Sequence, residues 1–145
     1  MQNISAFNTL GWLIASNTFP IGFPVTEWSD DTDPIDIPVI QVGDGAMGLN
    51  GDLVTWSKSN PVKMTISVIP GSITDGLLSI LLNANRPSKG KLAANDVITF
   101  NYILPDGTPV GLSPGTITEG MPGRSIASEG RQKTKTYSFI FEAID

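Results

Sequence analysis

Glycine and proline punctuate this sequence so densely that only short secondary-structure elements fit between them. The chain of 145 residues holds 15 glycines and 11 prolines, spread along its length rather than gathered in one linker. Proline ends helices and removes a donor from strand ladders, whereas glycine favours turns. The length is that of one ordinary domain. We therefore predict a single, mainly β domain over residues 1–145, with long loops at about 16–36 and 105–133.

Several segments carry strand signals. In Val62–Ile69 apolar and polar residues alternate, which is typical of an antiparallel strand with one buried face. Asn50-Gly51 lies between Ala46–Leu49 and Leu53–Ser57 and predicts a two-residue hairpin turn, because this pair tolerates positive φ angles. Two prolines keep Phe19–Pro24 out of a central strand. The other predicted strands are Leu10–Ala15, Val25–Ser29, Ile37–Val42, Val97–Leu104 and Tyr137–Ile144.

One segment reads as a helix, at about residues 73–85. Ser72 and Asp75 have the spacing of a capping box, and the acid lies at the positive end of the helix dipole. Pro87 prevents the helix from continuing. Apolar residues follow at helical spacing and predict a stripe that packs over a sheet, namely Ile73, Leu77, Leu78, Leu81 and Leu82.

The composition excludes several kinds of chemistry. The chain has no cysteine and no histidine, which removes disulfides, thiol nucleophiles, the commonest metal ligands and every serine–histidine triad. No apolar run approaches the ~18 residues that span a bilayer, and Met1–Ser5 lacks the basic start of a secretory signal. We expect a soluble, non-enzymatic protein that is assembled in the cytoplasm, with no cofactor, no metal site and no membrane anchor.

Charge is scarce and unevenly placed. Charged residues make up 16% of the chain, against roughly a quarter in typical domains, which suggests that partners cover much of the surface. Residues 1–57 contain seven acids and no base, whereas residues 58–145 contain nine bases and seven acids. Such a split favours head-to-tail contacts between copies, although loop composition alone also explains it. The candidate subunit-interface residues are Trp28, Asp30, Asp31, Asp33, Arg124, Arg131, Lys133 and Lys135.

Three other groups of residues resemble functional sites, but a structural role explains each of them at least as well. The acids around Pro34 have the pattern of a solvated turn rather than of a carboxylate pair in a cleft. Gly43–Asp52 offers oxygen ligands but lacks the spacing and closing glutamate of a calcium loop, so a hairpin explains it better. The tryptophans Trp12, Trp28 and Trp56 are core or interface anchors, or platforms on which a sugar stacks. We predict no catalytic residue.

The order of elements resembles the tail tube proteins of contractile-tailed bacteriophages, which are similar to the tube subunit of type VI secretion systems. The resemblance covers most of the chain and rests on element order and turn chemistry; Leu112–Gln132 shows no matching feature. The segments that carry it are Pro24–Asp31, Gly43–Gly45, Lys63–Val68 leading through Gly71 and Ser72 into Asp75–Leu81, and Thr136–Glu142.

The resemblance implies a structural virion protein. It implies an antiparallel β-barrel or sandwich with one flanking helix, whose strands join an inner barrel that runs around a ring of six copies. Rings would stack head to tail into a tube that conducts DNA during ejection, in contact with sheath and with baseplate or terminator proteins. The place of action would be the virion tail, assembled in the bacterial host cytoplasm. The alternative from the residues alone is a monomeric β-sandwich that binds carbohydrate or a receptor through Trp28 or Trp56.

Overall fold

The fold is an antiparallel sheet with one helix on its buried side. A computed structural model describes residues 9–29, 33–126 and 128–145. In chain order the described elements are β1 (Leu10–Ala15), β2 (Phe19–Val25), β3 (Ile35–Asp36), β4 (Gly43–Met47), β5 (Leu53–Ser57), β6 (Val62–Val68), α1 (Ile73–Asn85), β7 (Ile98–Ile103), β8 (Pro109–Gly120) and β9 (Lys135–Phe141).

Seven strands form one sheet in the order β2-β1-β7-β8-β9-β6-β3, and β4 pairs only with β5 in a separate two-stranded sheet. The chain leaving β2 crosses to the other end of the large sheet, where the Ser29 amide donates to the Ser67 carbonyl at 3.1 Å and Trp28 bridges to Val68. The sheet therefore bends over itself. Among the described residues no ladder joins β2 to β3, so the mainly β class is confirmed in a sandwich-like form, without a closed barrel.

The core lies between the bent sheet and α1. Every second residue of β6 and of β9 points into it, so the alternation predicted from Val62 onward is confirmed. Apolar burial at about 25 cal/mol per Å² makes this core the main source of stability. Its largest fully buried side chains are Tyr137, Phe100, Phe139, Phe141, Leu13, Met64, Ile66, Leu78, Leu81, Ile98, Leu112 and Val25.

The helix prediction is confirmed at both ends. Ser72 is the N-cap, and its hydroxyl accepts from the Asp75 amide at 3.2 Å. The predicted apolar stripe needs one correction: Leu78 and Leu81 are fully buried, but Ile73 is 78% exposed. Ile73 lies in the first turn on the side that faces away from the core, whereas its neighbours Thr74 and Asp75 are buried.

The hairpin prediction is confirmed with small shifts. The first strand is Gly43–Met47 rather than Ala46–Leu49, and the second is Leu53–Ser57, as predicted. The Gly48 amide donates to the Asp52 carbonyl at 2.7 Å, and Gly51 has the expected positive φ of 83°. The loop is therefore longer than the predicted two-residue turn.

Three strand predictions need correction. Ile37–Val42 is not a strand, and pairing in this region is limited to the two residues of β3. The early strand is Phe19–Val25 rather than Val25–Ser29; its two prolines are tolerated because β2 is the edge of the sheet. The loop predicted over 105–133 is wrong for residues 109–120, where β8 occupies the centre of the sheet between β7 and β9.

Close packing against β9 explains why Gly115 lies in the middle of β8. A Cβ at Gly115 would lie 2.3 Å from Cδ1 of Phe141 and 2.5 Å from the Ile140 carbonyl oxygen. Only glycine allows the two strands to approach here, so a residue that weakens strand propensity is required by the neighbouring strand. This requirement depends on a residue 26 positions away along the chain.

Asp96 ties the β1–β2 turn to the end of α1. Its Oδ1 accepts from the amides of Asn17 at 2.8 Å and Thr18 at 2.9 Å, and its Oδ2 accepts from the Thr18 hydroxyl at 2.5 Å and Asn85 Nδ2 at 2.7 Å. The residue is 3% exposed. Burial alone would raise the pKa of Asp96, but the hydrogen bonds from Thr18, Asn85 and Asn17 hold this pKa below its ordinary value.

Replacing Asp96 with asparagine should lower the free energy of unfolding by about 2–3 kcal/mol near neutral pH, because an amide group then faces donors. A lowered folded-state pKa gives stability that is present above the unfolded pKa and lost as the pH falls through the folded pKa. The difference in free energy of unfolding between the parent protein and Asp96→Asn should therefore decrease as the pH is lowered into the acidic range. Urea unfolding of both proteins across the acidic range checks this; a gap that does not depend on pH would contradict it.

Candidate assembly surfaces

The β4–β5 hairpin stands apart from the core. All ten residues of its two strands are exposed. Directly opposed residues of antiparallel strands share a face, so the pairs Asp44–Trp56 and Ala46–Val54 lie together, with Gly45–Thr55 and Gly43–Ser57 on the reverse. We call Ala46, Val54 and Trp56 the apolar hairpin face. Val54 is 55% exposed and Trp56 is 47% exposed. The reverse face is small and polar only at its base, because the pair Met47–Leu53 lies on it near the loop, with both side chains about two-thirds exposed.

The charges beside the apolar hairpin face neutralise each other. Lys58 Nζ lies 3.1 Å from Asp44 Oδ2, and the Lys58 amide donates to the Val42 carbonyl at 2.9 Å. Both side chains are more than a third exposed, so the ion pair adds little stability. Its consequence is electrostatic: the two charges beside the apolar hairpin face cancel, and Asp52 is the remaining charge of the hairpin, in its loop.

The outer face of β2, β1 and β7 is a second apolar surface. None of the residues in these three strands is charged. Leu10 and Ile103 are cross-strand partners that are 62% and 50% exposed, and Trp12 is 40% exposed. We call Leu10, Trp12 and Ile103 the uncharged sheet face. Exposed sheets of soluble proteins ordinarily carry charges near their edges, so its composition indicates that another surface covers it.

The outer face of β6, β9 and β8 is polar instead. The hydroxyl oxygens of Thr65 and Ser138 lie 3.5 Å apart, as do those of Ser67 and Thr136. The Thr118 hydroxyl donates to the Ser138 carbonyl at 3.2 Å. Ser67 is itself buried, at 4% exposure. We call Thr65, Thr118, Thr136 and Ser138 the hydroxyl face. Lys63 and Glu119 are the nearest exposed charges on the same strands, of opposite sign.

The predicted interface residues have different locations. Trp28 is half-buried against the core, and its Nε1 donates to the Thr9 carbonyl at 3.1 Å. Asp30 and Asp31 lie outside the described residues. The remaining exposed members are Asp33, Arg124, Arg131 and Lys133.

Lys135 requires a correction, because it lies inside the subunit. It is 2% exposed, and its Nζ lies 3.6 Å from Oδ1 of Asp75, which is itself 3% exposed. The hydroxyl of Tyr137 donates to the same oxygen at 2.8 Å and lies 2.7 Å from the Ser79 hydroxyl. Burial raises the pKa of Tyr137, which keeps this phenol a protonated donor. We call Asp75, Ser79, Lys135 and Tyr137 the buried polar cluster; it anchors the first turns of α1 to β9.

Sequence reasoning missed the two apolar faces and the buried polar cluster. The absence of charge from residues 1–26 and 97–105 was a usable signal for the uncharged sheet face. The signal for the cluster was the position of Lys135, two residues before Tyr137, where strand alternation places both on one face. In the described part of the chain, no three acidic, histidine or cysteine residues are grouped to hold a metal ion. No described helix is long and apolar enough to cross a membrane.

The fold is shared with proteins of contractile injection machines. The tube-terminating cap of the anti-feeding prophage matches with a TM-score of 0.58 and 12% identity, over 100% of this chain and 91% of that chain. The sheath/tube terminator of the extracellular contractile injection system PVC matches with a TM-score of 0.56 and 12% identity, over 100% of this chain and 96% of that chain. A chain of the anti-feeding prophage baseplate matches with a TM-score of 0.57 and 11% identity, over 100% of this chain and 95% of that chain. At these identities the likeness is one of fold.

A family model described as tail fiber protein gp32 matches residues 2–145, and the chain belongs to this family. The class is therefore a phage tail protein, which confirms the expected class without singling out the tube subunit. No curated protein sequence matches the chain.

Proposed function

We propose that this chain is a ring-forming subunit of the inner tube of a contractile tail, with a structural and not an enzymatic role. Six copies form a ring, rings stack head to tail, and the sheath and the terminator or baseplate proteins are neighbours. The observation that carries the proposal is the β4–β5 hairpin, all of whose strand residues are exposed. A lone two-stranded hairpin is at best marginally stable in water, so further strands or a packed surface must complete it.

The dimensions of such a ring suit duplex DNA. If each of six copies contributes four strands, ~24 strands spaced ~4.8 Å apart and tilted ~40° give a barrel roughly 48 Å across, or about 40 Å inside the side chains. B-form DNA, roughly 20 Å wide, passes with clearance. The proteins that share the fold support this assignment, since they include a tube-terminating cap and a sheath/tube terminator.

The hydroxyl face suits the channel wall. A conduit must not retain its cargo, and each phosphate that a cation neutralises strengthens DNA binding through counterion release. The four residues of the hydroxyl face carry no charge, and Lys63 on the same face is offset by Glu119.

Electron microscopy of the purified chain over a range of concentrations tests the proposal. We expect rings with sixfold symmetry, or stacked tubes, whose central channel is about 40 Å wide. A protein that stays monomeric at every concentration, alone and with the tail sheath protein, would refute the role.

A receptor-binding module is the second candidate, because the family is described as a tail fiber protein and Trp56 is exposed. Under this alternative a monomer would bind glycans by stacking on Trp56, and Trp56→Ala would abolish binding. Glycan-array binding by the parent protein that this variant lacks would favour it over the tube.

A further inference from the structure

We propose that the apolar hairpin face of one copy packs on the uncharged sheet face of the next copy. This contact depends on the proposed ring, and it specifies which surfaces close the ring. Both surfaces belong to the same chain and both are exposed in it, as shown by Val54 and Trp56 on the hairpin and by Leu10 and Ile103 on the sheet. Within one subunit neither surface covers the other.

The two surfaces match in charge. Asp44 and Lys58 beside the apolar hairpin face form an ion pair at 3.1 Å, and β2, β1 and β7 contain no charged residue. Asp52 lies outside the two strands, in the loop of the hairpin. Packing the strand residues of one face on those of the other buries no unpaired charge, whereas a charged partner surface would lose its hydration without compensation. A nucleic acid or an anionic membrane is therefore a poor occupant of either face.

At the uncharged sheet face the geometry favours face packing over strand addition. Pro20 and Pro24 interrupt β2, the edge strand of this face. Proline and short strands are the usual devices that prevent edge-to-edge pairing. Two sheets can instead pack face to face at a distance of ~10 Å. In the proposed contact this packing places Trp56 of one copy against the region of Trp12 in the next. Tryptophan is among the residues that most often anchor contacts between proteins.

A second copy is the occupant because the contact is heterologous. Each subunit offers one hairpin and one receiving face, so every contact leaves a free hairpin at one end and a free face at the other. Such contacts close into a ring when the rotation allows it. An isologous contact between two hairpins would instead stop at a dimer.

Cross-linking tests this directly, because the chain contains no cysteine. The double variant Val54→Cys with Ile103→Cys, treated with a short bis-maleimide that spans two packed sheets, should give a ladder of covalent multimers on a denaturing gel. An equimolar mixture of the two single variants should stop at dimers, and each single variant alone should stay monomeric. Thr55→Cys with Ile103→Cys is the matched control, since Thr55 points to the reverse face of the hairpin; we expect little ladder from it.

The possible failures are distinguishable. Rings that form normally while the Val54→Cys, Ile103→Cys protein yields no ladder would overturn this contact and leave the tube role standing. Efficient dimers from Val54→Cys alone would also overturn it, in favour of paired hairpins. Absence of both rings and ladder, with the variants folded by circular dichroism, would count against the contact and the proposed function together. A ladder of equal yield from the Thr55→Cys control would show that cross-linking is not specific to the face, and would likewise reject the contact.

Discussion

Replacing Lys135 with methionine should lower the free energy of unfolding by about 3–5 kcal/mol. Methionine fills a similar volume but removes the positive charge 3.6 Å from the Asp75 carboxylate. Asp75, at 3% exposure, then keeps a buried negative charge supported only by hydrogen bonds from Tyr137 and from the Gly71 amide at 2.9 Å. A buried charge that loses its partner is among the costliest single changes in a protein.

The matched control is Lys133→Met, because Lys133 is exposed and stands two positions earlier. It should change the stability by no more than about 0.5 kcal/mol. The double variant Asp75→Asn with Lys135→Met should lose less than the sum of the two single losses, by at least about 1 kcal/mol, because neither charge is then left alone. Urea unfolding of the four proteins measures this cycle. Strictly additive losses would mean that the ion pair does not couple the two side chains.

Elements whose signals are local could be predicted from the sequence. Helix α1 was predicted from Ser72, Asp75 and Pro87, which act within a few residues of its ends. The hairpin was predicted from Asn50-Gly51, and the class of the fold from the alternation of β6. In each case the residues that determine the element lie within it or next to its ends.

Strand β8 and the run Ile37–Val42 show why the remaining predictions failed. In β8, Gly115 and Pro114 signal a loop, but the strand forms because β7 and β9 supply partners on both sides and Phe141 requires a glycine opposite. Ile37–Val42 has good strand propensity but forms no strand within the subunit, and Val39 is fully exposed. Strand propensity describes how well a residue fits a pleated, half-buried sheet. It cannot predict whether the subunit contains a neighbouring strand with which the segment can pair.

The candidate surfaces were only partly visible for a related reason. Their proximity in the sequence groups the basic residues near the end of the chain as one predicted interface set. Strand β9 begins at Lys135, and α1 packs over this residue, so Lys135 lies in the interior, whereas Lys133 precedes the strand and is exposed. Whether a lysine is buried depends on the element that packs over it, here α1, some 60 residues earlier in the chain. The scarcity of charge indicated covered surfaces but not their location, which required the strand order of the sheet.

Replacing Val54 with aspartate should abolish ring assembly while leaving the subunit folded. Val54 is 55% exposed in the single chain, so the substitution disturbs no core packing. In the proposed contact it would bury a carboxylate against Leu10 and Ile103, at a cost of about 2–3 kcal/mol for each contact. Every contact in a ring carries the same change, so the concentration needed for assembly should rise by roughly a hundredfold or more.

Thr55→Asp adds the same charge to the neighbouring residue, which points to the reverse face of the hairpin. This control should assemble at close to the parent concentration, because the proposed contact does not cover Thr55. Sedimentation velocity across a dilution series measures both variants, with circular dichroism and thermal unfolding to verify the fold. Equal loss of assembly in the two variants would mean that both faces of the hairpin are covered. Normal assembly of Val54→Asp would mean that the hairpin takes no part in closing the ring, because a buried carboxylate without a partner cannot be tolerated at a packed contact.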